Sequence, residues 1–168
     1  LGDKVNLAPG RTELARKSRA WLVEQIHGFP ATDDSFPALY PEKDIFFGSF
    51  ERKTKKRPLD DVDIMVGIHA QGSTYTEAIL TITITVKENA TALLKFCNDG
   101  TNQLNSRKVI NAFVAKLKDV AQYESANIGR DEAAATLKLK TYEWNFDIVP
   151  CFFTSPESDG KTYYLIPD

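Results

Sequence analysis

The chain has 168 residues, 21 of them Lys or Arg against 23 Asp or Glu, for a net charge of −2 with histidine neutral. At 42% hydrophobic and 26% charged residues it has the composition of one globular domain with one core, not of a disordered or fibrous chain. A near-neutral balance excludes a histone-like polybasic surface and argues against long nucleic acid as the main ligand. Two cysteines, Cys97 and Cys151, are too few for a disulfide framework or a zinc site and fit a reducing compartment, so the expected location is the cytoplasm. No apolar run is long enough to span a bilayer. The charged first 30 residues are not a signal peptide of the usual form.

In chain order, residues 1–10 read as an extended lead-in ending at Pro9-Gly10. Thr12 can cap a helix to His27 with Leu14, Ser18, Trp21, Leu22 and Ile26 on one stripe. Gly28 is expected to end it and Pro30 to prevent its return, so lead-in and helix together fill 1–28. Residues 30–43 hold three prolines and read as loop. Asp44 to Phe47 is a short strand, followed at once by Gly48-Ser49 and a basic stretch of Arg52, Lys53, Lys55, Lys56 and Arg57. In Asp61 to Ile68, Val62, Ile64, Val66 and Ile68 alternate, which predicts a strand with one buried face. A β-branched strand is expected over Ile79 to Val86 and a short helix over Ala90 to Phe96.

Asn105 or Ser106 can cap a helix presenting Val109, Ile110, Phe113, Val114, Leu117 and Val120 on one face. Ala135 to Tyr142 alternates leucine with lysine, a strand with a wet face. Trp144 to Phe153 is a second strand, in which Pro150 is expected at a sheet edge or strand end. Tyr163 to Ile166 is a final short strand. The order predicts a mixed α/β domain around a modest sheet.

Asp61 and Asp63 carry the chemistry. Two apart on a strand, their carboxylates project from one face while the other face packs the core. Two like charges side by side repel, and a hard divalent cation with oxygen ligands resolves that. The bland alternative is a strand end with two solvated aspartates. Gly48-Ser49, at the end of the preceding strand, shifts the balance: glycine lets the backbone approach a phosphate, and the turn offers N–H donors. Two-metal phosphoryl chemistry needs a third carboxylate from a neighbouring strand. Asp147 fits, inside the apolar run Trp144 to Pro150, where a bare charge is costly. A salt bridge to Lys138 or Lys140 is the alternative partner. His27 and His69 read as helix-end and loop residues, the basic stretch as a solvated loop, and Trp144 and Phe146 as core. Tyr163 and Tyr164 could stack on a base but read better as aromatic packing, and a phosphate at Ser106, Arg107 and Lys108 has no further support.

Gly48-Ser49-Phe50-Glu51-Arg52-Lys53-Thr54, Asp61-Val62-Asp63-Ile64-Met65-Val66 and Phe146-Asp147-Ile148-Val149-Pro150 together resemble the polymerase-beta-type nucleotidyltransferase superfamily, and within it the bacterial cGAS/DncV-like enzymes related to oligoadenylate synthase. Tyr164-Leu165-Ile166-Pro167-Asp168 and Asp3-Lys4-Val5-Asn6-Leu7 resemble segments of the same group. The resemblance implies a nucleotidyltransferase catalytic domain over 1–168, in a family that normally continues into a helical second domain; a fragment of a longer two-domain protein is therefore expected. It implies an enzyme that joins nucleoside triphosphates, ATP or GTP, into a cyclic di- or trinucleotide second messenger in antiphage (CBASS) defence, with loss of pyrophosphate and a regulatory protein as partner. It implies two Mg²⁺ or Mn²⁺ ions on Asp61, Asp63 and Asp147, with Gly48, Ser49 and Arg52 contacting the nucleotide. Transfer to RNA or protein, or a non-catalytic nucleotide-binding module, are the alternatives. Lys53 departs from the family, which often has glycine there.

Overall fold

The computed structural model describes residues 9–48, 61–140, 144–154 and 157–166, with only the backbone described for Pro9, Arg11, Phe47, Gly48 and Asp61. Of the extended lead-in expected over 1–10, residues 1–8 lie outside the described residues and Pro9 and Gly10 are helical; the basic stretch over 52–57 also lies outside. The secondary-structure elements are α1 (Pro9–Thr32), β1 (Ile45–Gly48), β2 (Asp61–His69), β3 (Thr74–Glu77), β4 (Ile82–Thr85), α2 (Thr91–Leu94), α3 (Ser106–Lys118), β5 (Asn127–Asp131), β6 (Ala134–Lys138), β7 (Asn145–Phe153) and β8 (Tyr164–Leu165). One sheet runs β1-β2-β7-β6-β5, with β8 added to β7, and β3 pairs β4 in a separate hairpin. This is the mixed α/β architecture expected. No described helix is long and apolar enough to cross a membrane.

Alternation divides the sheet into two faces. Val62, Phe146 and Leu137 stand in register across β2, β7 and β6, as do Ile64, Ile148 and Ala135, and all six are fully buried. Helix α3 packs on this side against β5, β6 and β7. Its stripe is Val109, Ile110, Phe113 and Leu117, as its period predicts. The Asn105 side chain accepts from the N–H groups of Arg107 and Lys108, which are otherwise unpaired donors of the first turn. The cap thereby occupies the helix start where a phosphate was conceivable, and Lys108 is drawn aside to Asp99, 2.8 Å away. Phe29 meets Phe36 and Phe36 meets Phe113 edge-on, at 5.5 and 4.9 Å between centroids, tying α1 to α3.

Helix α1 begins at Pro9, where proline suits the first helical position, and runs through Gly28 and Pro30 to Thr32. The expected stop at Gly28 is therefore wrong. Gly28 does not enter the left-handed region that a glycine stop uses. Pro30 falls in the final turn, where its missing donor costs one bond, and buried Phe29 holds that turn to the core. Ala15 takes the buried position of the first turns, and Leu14 is exposed. The single strand expected over Ile79 to Val86 is also corrected. Ile79 and Leu80 are 99% and 85% exposed in the β3–β4 turn, and only Ile82–Thr85 is strand. The N–H of Ala78 donates to the Thr81 carbonyl and closes the turn. β5 is absent from the sequence expectation, because Asn-Ile-Gly-Arg-Asp carries a single aliphatic residue. Pro150 does not lie at an edge strand, since β7 is central. It sits after the last β6 pair, Ala135↔Ile148, and before the first β8 pair, Phe152↔Leu165, so no strand on that side asks for its missing donor.

A buried carboxyl group ties the other end of the sheet together. The Asp44 side chain, 2% exposed, accepts from His27 Nε2 at 2.6 Å and from the Gly67 N–H at 2.8 Å, joining α1, β1 and β2. A Cβ on Gly67 would stand 2.8 Å from the Tyr40 carbonyl oxygen, so that crossing needs glycine.

Phe113→Ala should cost about 3–5 kcal/mol in urea unfolding, whereas Leu80→Ser at the exposed turn should stay within about 0.5 kcal/mol. Burial, and secondarily the Asp44 charge, push the Cys151 thiol up to about 12. Its neutral form is thus favoured in the folded chain. Stability from this group is complete below the unfolded thiol value of about 8.5 and falls as pH rises from there toward about 12. Native protein should leave both cysteines unreactive to Ellman's reagent at pH 8, with both reacting in denaturant.

Candidate active site

The rows between the buried ones face away from the helices. In β2 and β7, Asp63 stands in register with Asp147, and Asp61 with Asn145. Across β6 the same rows continue as Thr136 beside Asp147 and Lys138 beside Asn145. On the other side, Phe47 of β1 pairs with Asp63 and Gly48 with Val62. The topology therefore brings together the positions of Asp61, Asp63, Asp147 and Gly48 at one end of the sheet. Ser49 and Arg52 lie outside the described residues.

Neighbouring strands are about 4.8 Å apart and alternate residues of a strand about 6.6 Å, so the three aspartate positions form a compact triangle. Asp63 and Asp147 are each part-buried, flanked by fully buried apolar rows. Like charges directly opposite on paired strands destabilise a sheet, and oxygen donors at this spacing suit a hard divalent cation. Among the described residues no group of three or more His, Cys, Asp or Glu is placed to hold a metal, the Asp61 side chain being outside them. The described part of the cluster is thus the Asp63–Asp147 pair.

The histidines stand elsewhere. His27 is inside α1 on Asp44, a helix-interior position and not the expected helix end. His69 closes β2, six residues beyond Asp63, with Nδ1 accepting from the Gln71 N–H. Trp144 and Phe146 are core. Tyr164 packs edge-on against Phe153 at 5.0 Å, far along β7 from Asp147, and Tyr163 is 39% exposed. Sequence reasoning missed two residues of the carboxylate face: Thr136 and, as a site residue, Lys138. The Leu–Lys alternation gives their wet face but not which strand stands beside β6.

No family model matches the chain. It is 46% identical over its whole length to a protein named "Probable cyclic nucleotide synthase IK1_05630" of Bacillus cereus (strain VD146). The chain spans about half the length of that curated relative, 51%. Among solved structures, the complex of E. coli MS115-1 CdnC with HORMA-deltaN matches with a TM-score of 0.55 at 18% identity, over 98% of this chain and 44% of that one. The second likeness shows the fold. Over its whole length the chain is thus homologous to part of a protein named a probable cyclic nucleotide synthase, and it has the fold seen in part of the CdnC complex.

Proposed function

We propose that the protein carrying this chain joins ribonucleoside triphosphates, ATP or GTP, into a cyclic di- or trinucleotide second messenger. The register of Asp63 with Asp147, with Asp61 two residues before on the same strand, carries this reading. The name of the 46% identical relative supports the product class.

The ribose hydroxyl of one nucleotide attacks the α-phosphorus of another. The bond to the bridging oxygen of the β-phosphate breaks, pyrophosphate leaves, and the hydroxyl proton passes to solvent or a nearby base. Positioning and electrostatics carry most of such a transfer, so no histidine or cysteine nucleophile is required. Asp61, Asp63 and Asp147 would hold two Mg²⁺ or Mn²⁺ ions. Bound there, such ions neutralise the developing charge and lower the pKa of the attacking hydroxyl. The chain's own part is to fix the carboxyl groups on two rigid, mutually paired strands. Gly48, at the end of β1 beside β2, would let the backbone approach the triphosphate, with Ser49 and Arg52 following it. A cytoplasmic role in antiphage signalling belongs to the same proposal. So does a regulatory protein partner, a HORMA-type protein being present in the CdnC complex.

Incubating the full-length protein with labelled ribonucleoside triphosphates and Mg²⁺ should release pyrophosphate and yield a nuclease-resistant small product, identifiable by mass spectrometry. EDTA should abolish it. Asp63→Asn and Asp147→Asn should each lower the rate by about a hundredfold to a thousandfold with the melting temperature little changed. Label on RNA or protein in place of a small product would assign the same site to macromolecular transfer. A folded wild type without pyrophosphate release would leave a binding module.

A further inference from the structure

Lys138 ends β6 on the carboxylate face, in the row Asp61–Asn145–Lys138–Asn127 across β2, β7, β6 and β5. Its side chain is exposed, and among the described residues it forms no ion pair or hydrogen bond. The salt bridge to Asp147 that would have given it a structural role is absent among the described residues. The neighbouring row steps down in size away from the carboxylates, from Asp147 to Thr136 to Gly129. A Cβ on Gly129 would lie 3.6 Å from Thr136 Oγ1, so the glycine leaves a shallow floor there. Carboxylates at one margin, a cation beside them that is unpaired among the described residues, and a low floor beyond make a place for a phosphorylated sugar.

Its side of the sheet says which nucleotide. In strand order, Gly48 comes first, then Asp61 and Asp63, then Asp147, then Lys138. Lys138 and Gly48 flank the carboxylates from opposite sides, about 14 Å apart over three strand spacings. In an in-line displacement the attacking and leaving oxygens also stand on opposite sides of the phosphorus. If the donor triphosphate lies on the Gly48 side, the attacker comes from the β6 side. We infer that Lys138 grips a phosphate of the acceptor nucleotide, whose ribose rests over Thr136 and Gly129. The inference deepens the function proposed above and rests on it for the identity of the two nucleotides. Lysine has the right chemistry for such a grip, since a point charge on a flexible four-carbon stem can follow a phosphate between successive additions.

The test is calorimetric titration of the full-length protein with the unreactive analogue α,β-methylene-ATP in Mg²⁺, alongside steady-state kinetics. Wild type should bind two equivalents. Lys138→Ala should weaken one site about tenfold, as loss of a charged hydrogen bond does, and leave the other unchanged. Lys138→Arg should restore most of it. Because the side chain is exposed, Lys138→Ala should melt with wild type. In turnover, Lys138→Ala should raise KM for nucleoside triphosphate about tenfold while kcat moves far less. Two unchanged sites in Lys138→Ala overturn the inference even when the wild type is active. Weakening of one site in a protein that releases no pyrophosphate keeps the phosphate contact and overturns the synthase. A folded wild type that binds no analogue overturns both.

Discussion

The continuous parallel pairing of β2 with β7, from Asp61↔Asn145 to His69↔Phe153, sets everything that the candidate site depends on. A parallel pair cannot be closed by a tight turn. Here the intervening chain supplies the β3–β4 hairpin, α2, α3, β5 and β6 before returning as β7. Register in such a pair is held by side chains, because a slip of one residue turns every side chain to the other face. Two rows of three fully buried residues on the covered side enforce it: Val62, Phe146 and Leu137, then Ile64, Ile148 and Ala135. A slip would drive Asp147 into that core and bring Phe146 or Ile148 out. The apolar rows thus place the aspartates as surely as any contact between the aspartates themselves.

The far end of the sheet stabilises the same alignment by different chemistry. Asp44 reaches the Gly67 N–H and His27 at once, so the helix, the edge strand and β2 share one buried polar junction. Gly67 also brings its carbonyl to the Tyr40 N–H at 2.7 Å, and any side chain there would strike the Tyr40 carbonyl. Buried polar groups are expensive unless paired, and here each pairing crosses between elements. One end of the sheet is consequently locked by hydrogen bonds and aromatic packing around Phe153 and Tyr164, while the other presents charge. Rigidity at one end and charge at the other suit a site built on strands and not on loops.

The features that carry strong local signals are legible in the residues. The alternation in Asp61 to Ile68 and the stripe Val109–Ile110–Phe113–Leu117 each express one periodicity with one buried face, and both appear as expected. The juxtaposition of Asp63 with Asp147 is legible only through a chemical demand, that an acidic residue in an apolar strand needs a partner. What fails is decided by tertiary packing. Gly28 and Pro30 are strong local stop signals, overridden by Phe29 in the aromatic chain from α1 to α3. Ile79 and Leu80 read as strand because apolar composition does not say whether a face exists to bury them. Asp44 reads as the first residue of a strand, since nothing local reveals that a histidine 17 residues earlier will sit on it. β5 has too few apolar residues to announce itself and pairs only because β6 offers an edge.

The wet face of β6 shows how far period-2 reasoning goes and where it stops. From the sequence, Thr136, Lys138 and Lys140 are equivalent: polar residues alternating with leucine or alanine. The structure separates them. Thr136 is beside an aspartate, Lys138 is beside Asn145 in the row of another, and Lys140 has left the strand. A carboxylate cluster on a sheet creates a field that falls off within about 10 Å at ordinary ionic strength, so the cation one strand away feels it and the one beyond the strand end feels it less. A lysine held that near to carboxylates, and unpaired among the described residues, is placed to serve a third party. On the proposed reading, in which the aspartates would hold metal, a phosphate would answer both charges at once, some of its oxygens meeting the bound cations and another the ammonium. Parallel strands supply the aspartates, an antiparallel neighbour supplies the lysine, and the small residues beyond keep the floor low enough for a sugar to lie between them.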